Sequence, residues 1–155
     1  MTRRGPHFAE IFGRELDRLA SEVEAYSEES DLWVRQGTQG NAPGTLTLHL
    51  VGCLHHYIGA ALGGTGYVRD RPAEFSDRDV PRERLLEVIQ GCRDTIVPTL
   101  AGLDGAALDD VYPGEAPVRM QGISTNGYLT HLVWHTGWHL GQIYYHRLAC
   151  EAVTG

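Results

Sequence analysis

In four stretches of this chain the apolar residues return at intervals of three and four, the spacing that lines one side of an α-helix. The first runs from about Pro6 to Tyr26, with Phe8, Phe12, Leu16, Leu19, Val23 and Tyr26 on one side. Glu10, Arg14, Asp17, Glu22 and Glu24 fall mostly on the other. The second is expected to open near Pro43, with Asn41 as its candidate cap, and to reach about Leu62 before Gly63 and Gly64 stop it. The third starts around Asp79 to Glu83 and carries Leu85, Ile89, Cys92, Ile96 and Leu100. Pro98 should kink or end it, because proline has no amide proton to donate. The fourth opens at Ser124 or Thr125, carries Leu129, Leu132, Val133, Thr136, Leu140 and Ile143, and ends near Ala152. No such helix buries its own apolar stripe, so the expected fold is an all-α four-helix bundle.

A chain of 155 residues is the size of one domain, and residues 1–155 are read as one. The three connectors between the helices are long, which permits neighbouring helices to run parallel, and long connectors are commonly functional. Trp33 should pin the first to the core, and the third, from about Gly102 to Ser124, is read as loop. Twenty acidic against thirteen basic residues give a net charge of −7, and the basic ones form no stripe able to neutralise a row of phosphates. Nucleic acid is therefore not an expected partner. The basic start MTRRGPHFAE has no apolar run behind it, unlike a secretion signal. The most apolar run, Leu46 to Leu62, contains three histidines and is short for a membrane span. Cys53, Cys92 and Cys150 are odd in number and widely spaced, as expected of free thiols in a reducing, cytoplasmic compartment.

Within the fourth helix the segment HLVWHTGWHLGQ places His131, His135 and His139 four residues apart, one above the other. At about 100° per residue, His135 and His139 come nearest the apolar side and His131 lies further round. On the second helix the expected inner face is Leu46, Leu50, Cys53, Tyr57 and Ala61. His49 and His56 then fall about 60° and 80° from its centre, and His55 almost opposite. A lone histidine at the edge of an apolar face is usually a hydrogen-bonded packing residue. A pair four apart is how a helix presents two imidazoles to a metal, and a third from another helix strengthens the case. Three imidazoles leave a coordination position open, the pattern of a catalytic site. Cys53, one turn after His49, is a further candidate ligand, against the usual role of a buried cysteine as a small hydrophobe. His56 lies too far along the axis to share the ion but near enough to affect a substrate. Gln142, one turn below His139, is a candidate to orient a ligand or substrate. Gly137 and Gly141 suggest close helix approach. Trp134 and Trp138 face away from the core and suggest a subunit contact, hence a homodimer.

THLVWHTGWHLGQI resembles the last-helix motif of the DinB-like (DinB and YfiT) superfamily, in which two histidines four apart precede a Gly-Gln-aliphatic triplet. TLTLHLVGCLHHYIGAAL resembles its second-helix motif, and GGTGYVRDRPAEF is similar to one uncharacterised subgroup; the resemblance covers about residues 6 to 150. It implies a bundle with up-up-down-down connectivity and a divalent metal, often zinc or nickel, held by His49, His135 and His139. It also implies chemistry on a small molecule, since characterised members include thiol-dependent S-transferases and a maleylpyruvate isomerase that uses a low-molecular-weight thiol. His56, His131 and His146 share these flanks, which leaves room for a richer ligand set. If the cosubstrate is a thiol bearing carboxylates, Arg69 and Arg71 are candidates to bind it, with Glu74 or Asp70 as base or as partner to a metal ligand. The bland alternative for that segment is a solvated loop of mutually paired charges. The expected function is a metal-dependent enzyme that transfers a thiol or activates water. The alternative is a non-enzymatic, stress-associated bundle in which the ion only locks the second and fourth helices together.

Overall fold

All four periodic stretches form helices in the computed structural model, which describes residues 4–154. They are α1 (Arg4–Ala25), α2 (Pro43–Leu54), α4 (Arg82–Ala101) and α6 (Thr125–Thr154). Two short helices, α3 (Arg71–Ser76) and α5 (Gly105–Asp109), occupy connectors that lack any amphipathic period. Each is started by an aspartate: the Asp70 carboxylate accepts from the Ala73 amide at 3.0 Å, and Asp104 from the Ala107 amide at 2.8 Å. The described residues otherwise form a π-helical continuation of α2, short 3₁₀ segments, turns and irregular connections, with one isolated antiparallel bridge between Val111 and Ser124. No described helix is long and apolar enough to cross a membrane.

α1 packs along α4 and also touches α6, while α2 lies against α3, α4 and α6. The core is the expected one: Phe12, Leu16, Leu19 and Val23 meet Leu85, Ile89, Ile96 and Leu100, with Leu50, Leu129 and Ile143 from α2 and α6. α2 is buried almost all round, every residue from Pro43 to Leu54 except Leu48. A polar side chain on such a helix must find partners inside the protein, and His49 is one.

Pro98 does not end α4, which runs on to Ala101. Leu100 is fully buried, and about 1.5–3 kcal/mol for burying a leucine offsets the hydrogen bond that proline forfeits. The helix starts also differ from expectation. Asn41 does not cap α2, whose flanking residue is Ala42 with no side-chain cap. Asp79 turns the chain with φ 55°, and α4 begins three residues later, its Arg82 amide donating to the Glu29 carboxylate at 2.8 Å. That cap comes from a distant 3₁₀ turn, Glu29–Trp33. Trp33 closes the same connector over α2, its indole N–H donating to the Val80 carbonyl at 3.3 Å.

After Leu54 the second helix widens into a π-helical segment, His55–Ala60. The Ala61 and Gly63 amides donate five residues back, to the carbonyls of His56 at 3.2 Å and Ile58 at 3.0 Å. Each residue there turns through less than in an α-helix, so side chains beyond Leu54 depart from the uniform wheel. Tyr57 and Ala61, expected to face inward, are half-buried, and Ile58 takes the inner position with no exposure.

Candidate metal centre

His49 on α2 and His135 and His139 on α6 turn their Nε2 atoms toward one point. The His49 and His135 Nε2 atoms are 3.3 Å apart, and those of His139 and His135 are 3.2 Å apart. Three imidazole nitrogens on a tetrahedral ion, at the usual metal–nitrogen distance, stand about 3.3 Å from one another. These three residues form the cluster among the described residues able to hold a metal.

The outer ring nitrogens fix which atom offers a lone pair. Glu74 is ionised and can only accept, so its contact of 3.0 Å to His49 Nδ1 places the proton on Nδ1, while Arg69 Nη2, 3.3 Å from the same nitrogen, donates to the closer Glu74 oxygen at 2.8 Å. His139 Nδ1 lies 2.7 Å from the Gln142 side-chain oxygen and donates to it in the same way. In the neutral ring each Nε2 atom is thereby the one that offers a lone pair, and it is directed at the shared space. Burial, with the neighbouring imidazoles, pushes His135 down to about 3, and burial lowers His139 as well, so these two rings are neutral at pH 7. Oriented rings that offer lone pairs to one point are what a divalent cation needs.

The orienting carboxylate is delivered by α3. Glu74 is 6% exposed and takes two hydrogen bonds from Arg69, at 2.6 Å to Nε and 2.8 Å to Nη2. Burial would raise this carboxyl, but the bonds from His49 and Arg69 outweigh it and hold it below the usual carboxylate range. Gly52, one turn beyond His49, makes room: a Cβ there would collide with the Glu74 carboxylate. Phe75 packs its ring 5.1 Å from the His49 ring, and the Arg71 guanidinium lies 4.9 Å over Phe75. Arg69 and Arg71, expected as clamps for a carboxylated substrate, are thus engaged behind His49, the first by Glu74 and the second on Phe75. Of the two carboxylates considered as ligand partner, Glu74 holds His49 while Asp70 caps α3.

The other candidates stand apart from the three Nε2 atoms. His56 packs against the Tyr57 ring at 4.7 Å, and His55, expected on the outer face, is half-buried and stacked on Tyr67 at 4.9 Å. His131 stacks between Tyr128 and Trp134. His146 is buried as a structural pin: its Nε2–H donates to the Val34 carbonyl at 2.7 Å, and the Tyr26 hydroxyl lies 2.9 Å from its Nδ1. Cys53 Sγ is 3.9 Å from His135 Nδ1, the side of the ring turned away from the convergence. Burial pushes its thiol up to about 12, and with its sulfur outside the convergent cluster it packs as a small hydrophobe. Trp134 and Trp138 are each 58% exposed. Gly137 and Gly141, expected at a close helix approach, have no neighbour within 4 Å of a would-be Cβ.

No protein-family model matches this chain, and no curated protein matches it. The chemistry of the cluster therefore carries the functional argument. Gly52 and Phe75 were not legible as parts of the site, because neither is a chemical donor and both matter only through α3. Asp70 followed by Arg71 and Pro72 was the available signal for that helix, an acidic cap with proline in the first turn. Beside His139 and Gln142 opens a cavity of about 640 Å³, so that one of the three histidines, His139, forms part of its wall.

Proposed function

We propose that this protein is a metal-dependent enzyme of the DinB-like type, a four-helix bundle of up-up-down-down connectivity with zinc or nickel on His49, His135 and His139. It acts on a small molecule by transferring a low-molecular-weight thiol or by hydrolysis. The observation that carries this reading is the convergence of three Nε2 atoms, those of His49 and His139 each 3.2–3.3 Å from that of His135, with two of their rings locked by outer partners. When bound, the ion supplies the positive charge that lets a thiol or a water lose its proton near neutral pH.

The chain's own groups prepare that chemistry. Arg69 keeps Glu74 ionised, Glu74 keeps the proton of His49 on Nδ1, and Gln142 does the same for His139. Partners of this kind typically change metal affinity by about 10–100-fold when removed. With three protein donors and an adjoining cavity, the arrangement favours an ion that substrate can reach. The competing reading is a structural ion that ties α2 to α6 without catalysis.

Metal analysis of the protein as isolated, before and after chelation, tests the first step, with about one zinc or nickel per chain expected. A panel of electrophiles offered with a low-molecular-weight thiol, and a panel of esters and amides, tests the second. Protein that takes up neither metal overturns the proposal. Protein that holds the metal yet turns over no substrate in either panel, and loses helix packing on chelation, establishes the structural reading instead.

A further inference from the structure

Two cavities flank α2, and they differ in charge. The one beside α3 and α4, about 570 Å³, is lined by Asp70, Glu74, Asp77, Arg84 and Glu87. The other, about 640 Å³, meets His139 and, among the described residues, has no Asp, Glu, Lys or Arg in its wall. Its polar groups are the side-chain amides of Gln39, Asn41 and Gln142, and its rings are Trp138 and Tyr145. Those rings are 58% and 71% exposed, so their faces are available for stacking. Gly137 and Gly141 form part of the wall, and a side chain at either would project into open space. The two imidazoles in the wall are engaged, His139 with Gln142 and the cluster, His146 with Val34 and Tyr26.

We infer that this cavity binds the body of an uncharged aromatic molecule, stacked on Trp138 and Tyr145 and hydrogen-bonded through Gln39, Asn41 and Gln142, with its reactive end toward His139. The inference rests on the proposed function for what happens at the reactive end, but not for the binding itself. A volume of 640 Å³ is in the range of small-molecule sites. Along the walls away from the His139 end, a carboxylate or an ammonium loses hydration and meets no counter-charge, whereas an amide or hydroxyl finds matched amide partners. The net charge of −7 adds a further bias against anions. The carboxylated thiol that Arg69 and Arg71 were expected to clamp has no such clamp on this side.

The test uses three molecules of one shape: 2-naphthamide, 2-naphthoate and 2-naphthamidine, which are neutral, anionic and cationic. Each is titrated into the full-length protein, metal-free and zinc-loaded, while the Trp138 indole N–H and the Gln142 side-chain amide are followed by NMR. In the metal-free protein the neutral compound is expected to bind at least about tenfold more tightly than either charged one, a tenfold ratio being about 1.4 kcal/mol. Gly141→Leu fills the cavity from an open position and should abolish that binding without loss of thermal stability; Trp138→Ala should weaken it. Naphthoate or naphthamidine binding as well as naphthamide overturns the inference, as does silence from all three. It is also overturned if Gly141→Leu binds normally, or if the Trp138 signal moves on concentrating the protein alone, which would place a second copy of the chain over the cavity. Failure of zinc to bind while naphthamide binds sinks the metal reading and leaves this one standing.

Discussion

Replacing Gly52 with alanine separates the orienting role of Glu74 from generic helix energetics, because the two predict opposite signs. Glycine inside a helix is less favourable than alanine by about 1 kcal/mol, so a neutral site would gain stability. At Gly52 the new methyl meets the Glu74 side chain, with Cδ at 2.8 Å and Cγ at 3.3 Å and the Oε1 contact closer still. Glu74 cannot yield freely, since its carboxylate is held by Arg69 and His49 in surroundings that leave the two charged side chains only 9% and 6% exposed. Prising a buried pair apart costs about 3–5 kcal/mol, so the net loss is about 2–4 kcal/mol after the helix gain. For a chain of this length that lowers Tm by roughly 10 °C. His49 loses its Nδ1 partner in the same event, and zinc affinity should fall by about 10–100-fold. Gly137→Ala is the control, since its Cβ meets nothing within 4 Å. It should raise Tm by a few degrees at about 1 kcal/mol and leave zinc affinity alone. Circular-dichroism melts in chelator and zinc competition against a chromophoric chelator read both quantities. Gly52→Ala that melts at or above the parent temperature with unchanged zinc affinity would refute the account of Gly52, Glu74 and His49 as one unit.

Alanine at His49, His135 or His139 should each take zinc from about one per chain to near none, because each removes one of three donors, while His55→Ala should keep it. Elemental analysis after gel filtration decides this, and a required His55 with a dispensable His49 would be fatal to the cluster. The metal-free protein should also lose stability in acid. His135 is held near 3 and His139 below its ordinary value, whereas both titrate near 6.5 once unfolded. Below pH 6.5 the unfolded chain therefore binds more protons than the folded one, so stability is full above that pH and declines as pH falls toward 3. Urea midpoints at pH 7 and pH 5 check the sign, and a midpoint that holds steady or rises on acidification contradicts it.

What the sequence disclosed and what it concealed divide at Leu54. Up to that residue α2 is a regular α-helix, and a wheel turning 100° per residue correctly carries His49 to the inside, where it is 8% exposed. On α6 the same arithmetic places His135 and His139 together and His131 further round, because that helix is uninterrupted from Thr125. From His55 the rule breaks. The wider turn displaces the buried position from Tyr57 to Ile58, a slip of one residue, and draws His55 into a stack on Tyr67. Nothing in HHYIGA announces this, and the Tyr57 carbonyl within that turn accepts from a distant group, the Tyr112 hydroxyl at 2.7 Å. The Glu74 clasp was concealed for a related reason: a helix of six residues is too short to show a period, and its one local signal is the cap at Asp70. Metal ligands on long helices are set by local geometry, which a sequence displays. The groups that orient them come from whatever element packs behind, and here Gly52 leaves the space into which that element brings Glu74.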